Sequence, residues 1–390
     1  MNRPMVALSA KLLCVVTIML CGAGCYGKRR SKDTVAFRTN QQSQAVLAAA
    51  RTNNLSLFGD LPGTGDVTYY SRSAIALRQH TFTEVGTDFD ADIDPSGKRM
   101  EFASTRHHIS PDLYIKSVDG VAVTQLTADP APDIQPAYSP DGQRVAFASQ
   151  RSGNWDIWMI GVDGGPPVQV TRSPADEVHP SWSPDGTSLV FCSLPAVGGQ
   201  WELWITDALS GSSNRFIGYG LFPEWSPTGD RIVFQRARER GSRWFSIWTL
   251  TLVDGEPRYP TEVSASVTEA MIVPTWSADG SQIAFSSTPT VPPPPIAGLG
   301  VSENQLFDIW VMDGDGRNKT RLTDGHTANH APVFSNDGRI FFTADRSGHD
   351  NIWSLVPDNP RSTGVSGETI AEKASQEVGV AKQVSLRDNL

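Results

Sequence analysis

Short apolar runs separated by polar turn residues dominate the middle of the chain, at a spacing that points to strands rather than helices. The clearest stretch reads as four of them, at residues 134–139, 144–149, 156–162 and 167–171. The first two flank Ser139-Pro140-Asp141-Gly142. Proline pre-sets φ at the second turn position, aspartate tolerates the third, and glycine takes the positive φ of the last. Val145-Ala146-Phe147-Ala148 is apolar throughout. An unbroken apolar strand implies a sheet covered on both faces.

The pattern recurs. The turn appears six times, as Asp94-Pro95-Ser96-Gly97, Ser139-Pro140-Asp141-Gly142, Ser183-Pro184-Asp185-Gly186, Ser226-Pro227-Thr228-Gly229, Ser277-Ala278-Asp279-Gly280 and Ser335-Asn336-Asp337-Gly338. Its glycines stand 45, 44, 43, 51 and 58 residues apart. A second motif keeps step behind it: Asp112-Leu113-Tyr114, Asp156-Ile157-Trp158, Glu202-Leu203-Trp204, Ser246-Ile247-Trp248, Asp308-Ile309-Trp310 and Asn351-Ile352-Trp353. Four strands in a period near 44 residues are the signature of a β-propeller. The expected fold is therefore all-β, a six-bladed propeller with four antiparallel strands per blade. The large residue four places before each turn glycine (Ile93, Tyr138, Trp182, Trp225, Trp276, Phe334) is predicted to fill the gap between blades. The aspartates that open third strands (Asp112, Asp156, Asp308) read as strand-end hydrogen-bonders.

Fourth strands carry a short signature, Gln125-Leu126-Thr127, Gln169-Val170-Thr171 and Arg321-Leu322-Thr323. The sixth repeat lacks one, and a spare copy, Gln79-His80-Thr81-Phe82-Thr83, precedes the first repeat. The segment around it is predicted to complete blade six as a clasp strand, pairing the last sheet edge.

Composition agrees with this architecture. Gly 34 and Pro 27 supply the turns, and all eleven Trp fall between Trp155 and Trp353, inside the repeats. With only 19% charged residues the profile excludes a coiled coil and a disordered chain. The net charge of −9 and the lack of a basic stripe leave no electrostatic footprint for nucleic acid. The chain is expected to be a monomer.

Residues 1–24 combine Arg3 and Lys11 with an apolar run from Leu12 to Leu20 and the small residues Gly22-Ala23-Gly24 before Cys25. That is a secretory signal, too short to span a bilayer. It resembles a bacterial lipoprotein signal, which implies lipid attachment at Cys25 and a membrane contact through the anchor alone. Residues 25–73 read as a polar tether with one short helix, 74–357 as the propeller, and 358–390 as a disordered polar tail. Cys192, inside an apolar strand, reads as a buried small hydrophobe.

Candidate chemistry gathers where first strands begin. Residues nine and seven before the turn glycine share a face if the strand alternates regularly. They are Asp88 and Asp90, Asp133 and Gln135, Glu177 and His179, with His330 close by. Carboxylates at a channel mouth suit calcium or another divalent cation. No cofactor is otherwise predicted, and no catalytic motif is found. Two loops are candidate partner-binding elements. One carries Arg236, Arg238, Arg240 and Arg243; the other, residues 288–306, carries Pro292, Pro293 and Pro294 in a stiff extended run.

The two motifs at this spacing resemble the WD-like repeats of the TolB β-propeller family, over about residues 74–357. The resemblance extends to the proline six residues before the turn glycine (Pro136, Pro180, Pro223, Pro274, Pro332; Ala91 in blade one) and to Arg151-Ser152-Gly153 and Arg346-Ser347-Gly348. It implies a periplasmic protein-binding module of the cell envelope whose partner is a Pal-like lipoprotein. Combined with the signal, it implies an outer-membrane lipoprotein. Fewer than about fifty residues separate Cys25 from the clasp, so the family's N-terminal α/β domain is not expected. The alternative is a metal- or ligand-dependent enzyme or binding protein that takes carbohydrate or peptide at the channel mouth.

Overall fold

The computed structural model describes residues 74–237, 245–289, 307–325 and 327–358. Strand β1 (Ala74–Gln79) precedes the repeats. Blade one is β2 (Asp88–Ile93), β3 (Arg99–Ser104), β4 (Asp112–Ser117) and β5 (Val123–Gln125). Blade two is β6 (Asp133–Tyr138), β7 (Arg144–Ser149), β8 (Asp156–Gly161) and β9 (Val168–Gln169). Blade three is β10 (Asp176–Trp182), β11 (Ser188–Leu194), β12 (Glu202–Asp207) and β13 (Arg215–Tyr219). Blade four is β14 (Leu221–Trp225), β15 (Arg231–Ala237), β16 (Phe245–Val253) and β17 (Glu256–Ser264). Blade five is β18 (Glu269–Trp276), β19 (Gln282–Pro289), β20 (Asp308–Asp313) and β21 (Thr320–Arg321). Three further strands, β22 (Asn329–Phe334), β23 (Ile340–Ala344) and β24 (Asn351–Pro357), begin blade six.

Each blade is an antiparallel sheet in chain order, and the sixth is completed by β1 on the edge of β24. First strands touch their neighbours in cyclic order, β2 to β6, β10, β14, β18, β22 and back to β2, which closes the ring. The six-bladed, clasped propeller read from the repeats is the observed fold. The four strands expected in the second repeat match β6–β9 to within a residue or two at most ends.

Local chemistry makes each hairpin. In blade two, Gly142 N donates to Ser139 O at 2.8 Å, and Asp141 caps the turn by accepting from the Ser139 hydroxyl and from Gln143 N. All six turn glycines have φ between 65° and 80°. Second strands are buried on both faces; β7 is buried at every position after Arg144. Apolar seams then join the blades. Ile93, Met100, Phe102 and Tyr114 of blade one pack with Phe341 and Ile352 of blade six. Of the residues predicted to fill the gaps, Trp276 packs among Val233, Ile247 and Phe285, and Trp182 donates Nε1 to Ala137 O of the preceding blade.

The spare signature ends β1 as its counterparts end fourth strands. Thr81, Thr127, Thr171 and Thr323 each accept, at Oγ1, the backbone N–H of a third strand (Ile352, Leu113, Ile157, Ile309). The opening aspartates hold the same corner: Gln125 donates to Asp112, Gln169 to Asp156 and Arg321 to Asp308. At the closure the copy is specialised. His80, 3% exposed, donates Nδ1–H to Val118 O of blade one at 3.1 Å and accepts from Ser354 of blade six at 2.8 Å. Burial pushes its pKa down to about 4, so the ring is neutral and can do both. Buried Lys116 donates to His80 O at 2.6 Å.

Cys192 is fully buried, and burial raises its thiol pKa to about 12. The proposed signal, Cys25, the tether and the tail lie outside the described residues.

Deleting residues 74–84 is expected to prevent folding or lower the thermal midpoint steeply, measured by circular dichroism; a deletion that melts within a few degrees of the parent overturns the clasp. Phe341→Ala, at the closing seam, should cost about 3–5 kcal/mol in urea unfolding.

Candidate functional site

Seven residues before each turn glycine the backbone turns left-handed: Asp90 (φ 47°), Gln135 (56°), His179 (56°), Phe222 (53°), Val273 (50°) and Ala331 (52°). Strand pairing skips there in all six first strands. In five blades the next residue is proline, which has no N–H to lose where the ladder is interrupted. A non-glycine residue in this conformation costs roughly 1–3 kcal/mol, so its surroundings must hold it. They do so across the seams. His179 N donates to Gln135 Oε1 at 3.0 Å, Val273 N to Gln235 Oε1 at 2.8 Å, and Ala331 N to Ser286 Oγ at 3.1 Å.

This bulge corrects the expectation that the residues nine and seven before the glycine share a face, because regular alternation ends between them. The two sets separate. Asp88 and Asp133 are fully buried. Arg106 reaches both oxygens of Asp88 at 2.9 Å, and Ser104 and Thr83 donate to them as well. Arg151 reaches both oxygens of Asp133 at 2.8 and 2.7 Å. Each guanidinium also lies over two aromatic rings, Arg106 over Phe102 and Tyr114, Arg151 over Phe147 and Trp158, at 5.0–5.4 Å. In blade six Arg346 donates to Asn329. Two of the carboxylates predicted to face the channel water are therefore engaged inside their own blades. Glu177, 4% exposed, is held by the hydroxyls of Thr171 and Ser173, and burial raises its pKa.

The other set touches round the inner wall. Gln135 Nε2 lies 3.0 Å from His179 Nε2, and the His179 ring lies 3.7 Å from that of Phe222. Desolvation pushes the His179 pKa down to about 3, so the neutral ring accepts from the Gln135 amide. The wall is thus polar at Asp90, Gln135 and His179, and apolar at Phe222, Val273 and Ala331. His330 packs edge-on against Phe307. Among the described residues no three His, Cys, Asp or Glu side chains gather where they could hold a metal ion.

Sequence reasoning missed a set of acids nearer the hairpins. Asp92 Oδ2 accepts from Tyr138 N at 2.7 Å, and Glu224 Oε1 from Trp276 N at 2.9 Å. Both staple one blade to the next. Burial raises their pKa values to about 6 and about 8. Glu101, opposite Asp92 in the ladder, is fully buried, and its pKa is raised well above the usual range for the same reason. The missed arginines did carry a signal, since Arg106 and Arg151 each follow their aspartate by 18 residues.

Antiparallel topology places the β1–β2 link, the loops between second and third strands, and the loops between blades at the end where first strands begin. Phe82 (67% exposed), Val85, Ile109 (95%), Val197 (93%) and Val267 stand in these loops. Arg236 lies over Trp248 at 5.2 Å. Arg238, Arg240, Arg243, Pro292, Pro293 and Pro294 lie outside the described residues.

Residues 91–289 match the family model for the TolB beta propeller domain. An uncharacterized protein of Agrobacterium fabrum is 32% identical over 130 residues, which cover 33% of this chain and 36% of that one, so the match spans about a third of the relative's length. Among solved structures, a protein assigned as TolB from Agrobacterium tumefaciens superposes with a TM-score of 0.53 at 20% identity, over 72% of this chain and 97% of that one. TolB from Acinetobacter baumannii gives 0.50 at 17% identity, over 68% and 65%. These structures share the fold.

Arg151→Met should cost about 3–5 kcal/mol in urea unfolding, because Asp133 is left buried and unpaired; adding Asp133→Asn should recover most of it. His179 has a depressed folded pKa, so below pH 6.5 the unfolded chain binds a proton that the folded one refuses. Stability from this group is complete above pH 6.5 and falls between 6.5 and about 3, by up to about 1.4 kcal/mol per pH unit. His179→Gln should flatten that slope relative to the parent; an unchanged slope would mean the imidazole is not kept neutral.

Proposed function

The chain belongs to the TolB β-propeller domain family, and on that footing we propose that it is an exported binding module of the bacterial cell envelope. A lipid on Cys25 anchors it at the periplasmic side of the outer membrane. The propeller docks an envelope protein, a Pal-like lipoprotein by family resemblance, on the face where first strands begin.

One observation carries the docking face: the run of exposed apolar side chains, Phe82, Val85, Ile109, Val197 and Val267, in loops that all open to that end. Large apolar groups left in water around a rigid rim suit association with a protein surface. The inner wall behind them supports binding over catalysis. Its histidine is neutral and bonded to Gln135, and the first-strand aspartates of blades one and two are paired with arginine. The anchor rests on the signal ahead of Cys25, and a lipidated chain needs no membrane-spanning segment to stay in the envelope.

Affinity purification from detergent-solubilised envelopes tests the docking face. The parent should enrich a partner over an untagged control. Phe82→Ser combined with Ile109→Ser and Val197→Ser should lose it, while Val121→Ser with Leu209→Ser, in loops at the hairpin end, should keep it. Loss from both variants, or enrichment by neither parent nor variant, overturns this reading. Incorporation of labelled palmitate that disappears with Cys25→Ala checks the anchor.

A further inference from the structure

Blade three breaks a rule that blades one and two obey. In those blades a buried aspartate, a guanidinium 18 residues later and two aromatic rings form one unit. Blade three keeps the acid as Glu177 and the rings as Phe191 and Trp204, which face each other across the ladder as Phe147 and Trp158 do. Its eighteenth residue is Pro195. Where the arginine would lie there is a cleft of about 250 Å³, with Glu177, Phe191, Pro195, Glu202 and Trp204 in its lining.

The acids at this seam have hydroxyl donors but no cation. Glu177 is 4% exposed, and its Oε2 has no hydrogen-bond donor. The neighbouring acid, Asp156, lies within hydrogen-bonding reach of Glu177 and makes its charge harder to carry; Asp156 Oδ2 accepts from Ser152 and Gln169, while its Oδ1 is without a donor. The Glu202 carboxylate, on the cleft wall, accepts from Trp204 Nε1 at 2.9 Å. No Lys or Arg lines the cleft among the described residues. The third-strand aromatics of blades one, two, four and five each carry a cation: Arg106 over Tyr114, Arg151 over Trp158, Arg236 over Trp248 and Lys319 over Trp310. Over Trp204, and over Trp353 in blade six, none is found among the described residues.

We propose that the blade-three cleft receives an arginine side chain from a partner polypeptide. The incoming guanidinium forks onto the Glu177 carboxylate and lies over Phe191 and Trp204, as Arg151 does one blade earlier. A planar fork can bond a carboxylate with two parallel N–H groups while its face stacks on an aromatic ring; a lysine ammonium cannot do both. The cleft opens among loops of the mouth end, with Ser173, Pro174, Ala175, Pro195 and Ala196 in its lining, so this arginine is one contact of the proposed docking face and rests on that reading, while the titration below reads the cleft by itself.

Calorimetry of the full chain with the capped tripeptide Ac-Gly-Arg-Gly-NH₂ tests it. The arginine peptide should bind, and its citrulline isostere and its lysine analogue should each bind about tenfold more weakly or worse. Glu177→Gln should weaken arginine binding by a similar factor. Pro195→Arg restores the residue found in blades one and two, so it should fill the cleft from within and abolish binding while circular dichroism shows an intact propeller. Equal affinity for the arginine and citrulline peptides, or a folded Pro195→Arg variant that binds like the parent, overturns the proposal.

Discussion

The propeller depends on one constraint: the edge of β24 must be paired. Blade six draws only three strands from the C-terminal side of the repeats, and an open edge there would expose a row of backbone groups and the seam to blade one. Strand β1 closes it, and His80 then bonds to Ser354 in blade six and Val118 in blade one. A single neutral imidazole thus sits where the two ends of the ring meet. Closure gives every blade a covered face on each side, which is why second strands such as β7 can be apolar throughout. It also holds six residues in left-handed backbone, a conformation the chain would abandon without neighbours on both flanks.

Within the closed ring, polar groups follow one logic. A buried charge needs a partner, and several blades supply it at a fixed offset along their own chain. Aspartates at the start of first strands meet arginines from the following loop. Aspartates at the start of third strands meet the Gln or Arg of the fourth. This repeated pairing is framework, and it leaves loops at the mouth end free to differ. Departures from the framework therefore mark where this chain has something of its own: the exposed apolar loops, and the acid of blade three that has lost its arginine.

Much of the architecture was legible because it is written in local, repeated chemistry. The turn glycines require positive φ, and their spacing gives the blade count. The Gln-x-Thr copy at residues 79–81 announced the clasp, since Gln-x-Thr also ends the fourth strands of blades one and two. The candidate site was less legible. Asp88 and Asp133 look like channel carboxylates if the strand alternates, and the left-handed residue two places on breaks that alternation. The prolines after it were visible as a repeated feature, but nothing local to Gln135-Pro136 says that the chain bulges there. Asp92 and Glu224 passed unnoticed because each occurs in one blade only, and its partner is a backbone N–H of the next.

By itself, then, the amino-acid order determined the fold class, the number of blades, the hairpin geometry and the strand that closes the ring. Each follows from interactions between residues a few positions apart, or from the repetition of such interactions. Only the tertiary structure decided which charges are neutralised, which histidines are held neutral and which aromatics are left without a cation. Those outcomes depend on burial and on contacts across seams. Both arise only when distant segments are packed together, and there a shift of one residue in register turns a channel-facing carboxylate into an internal ion pair.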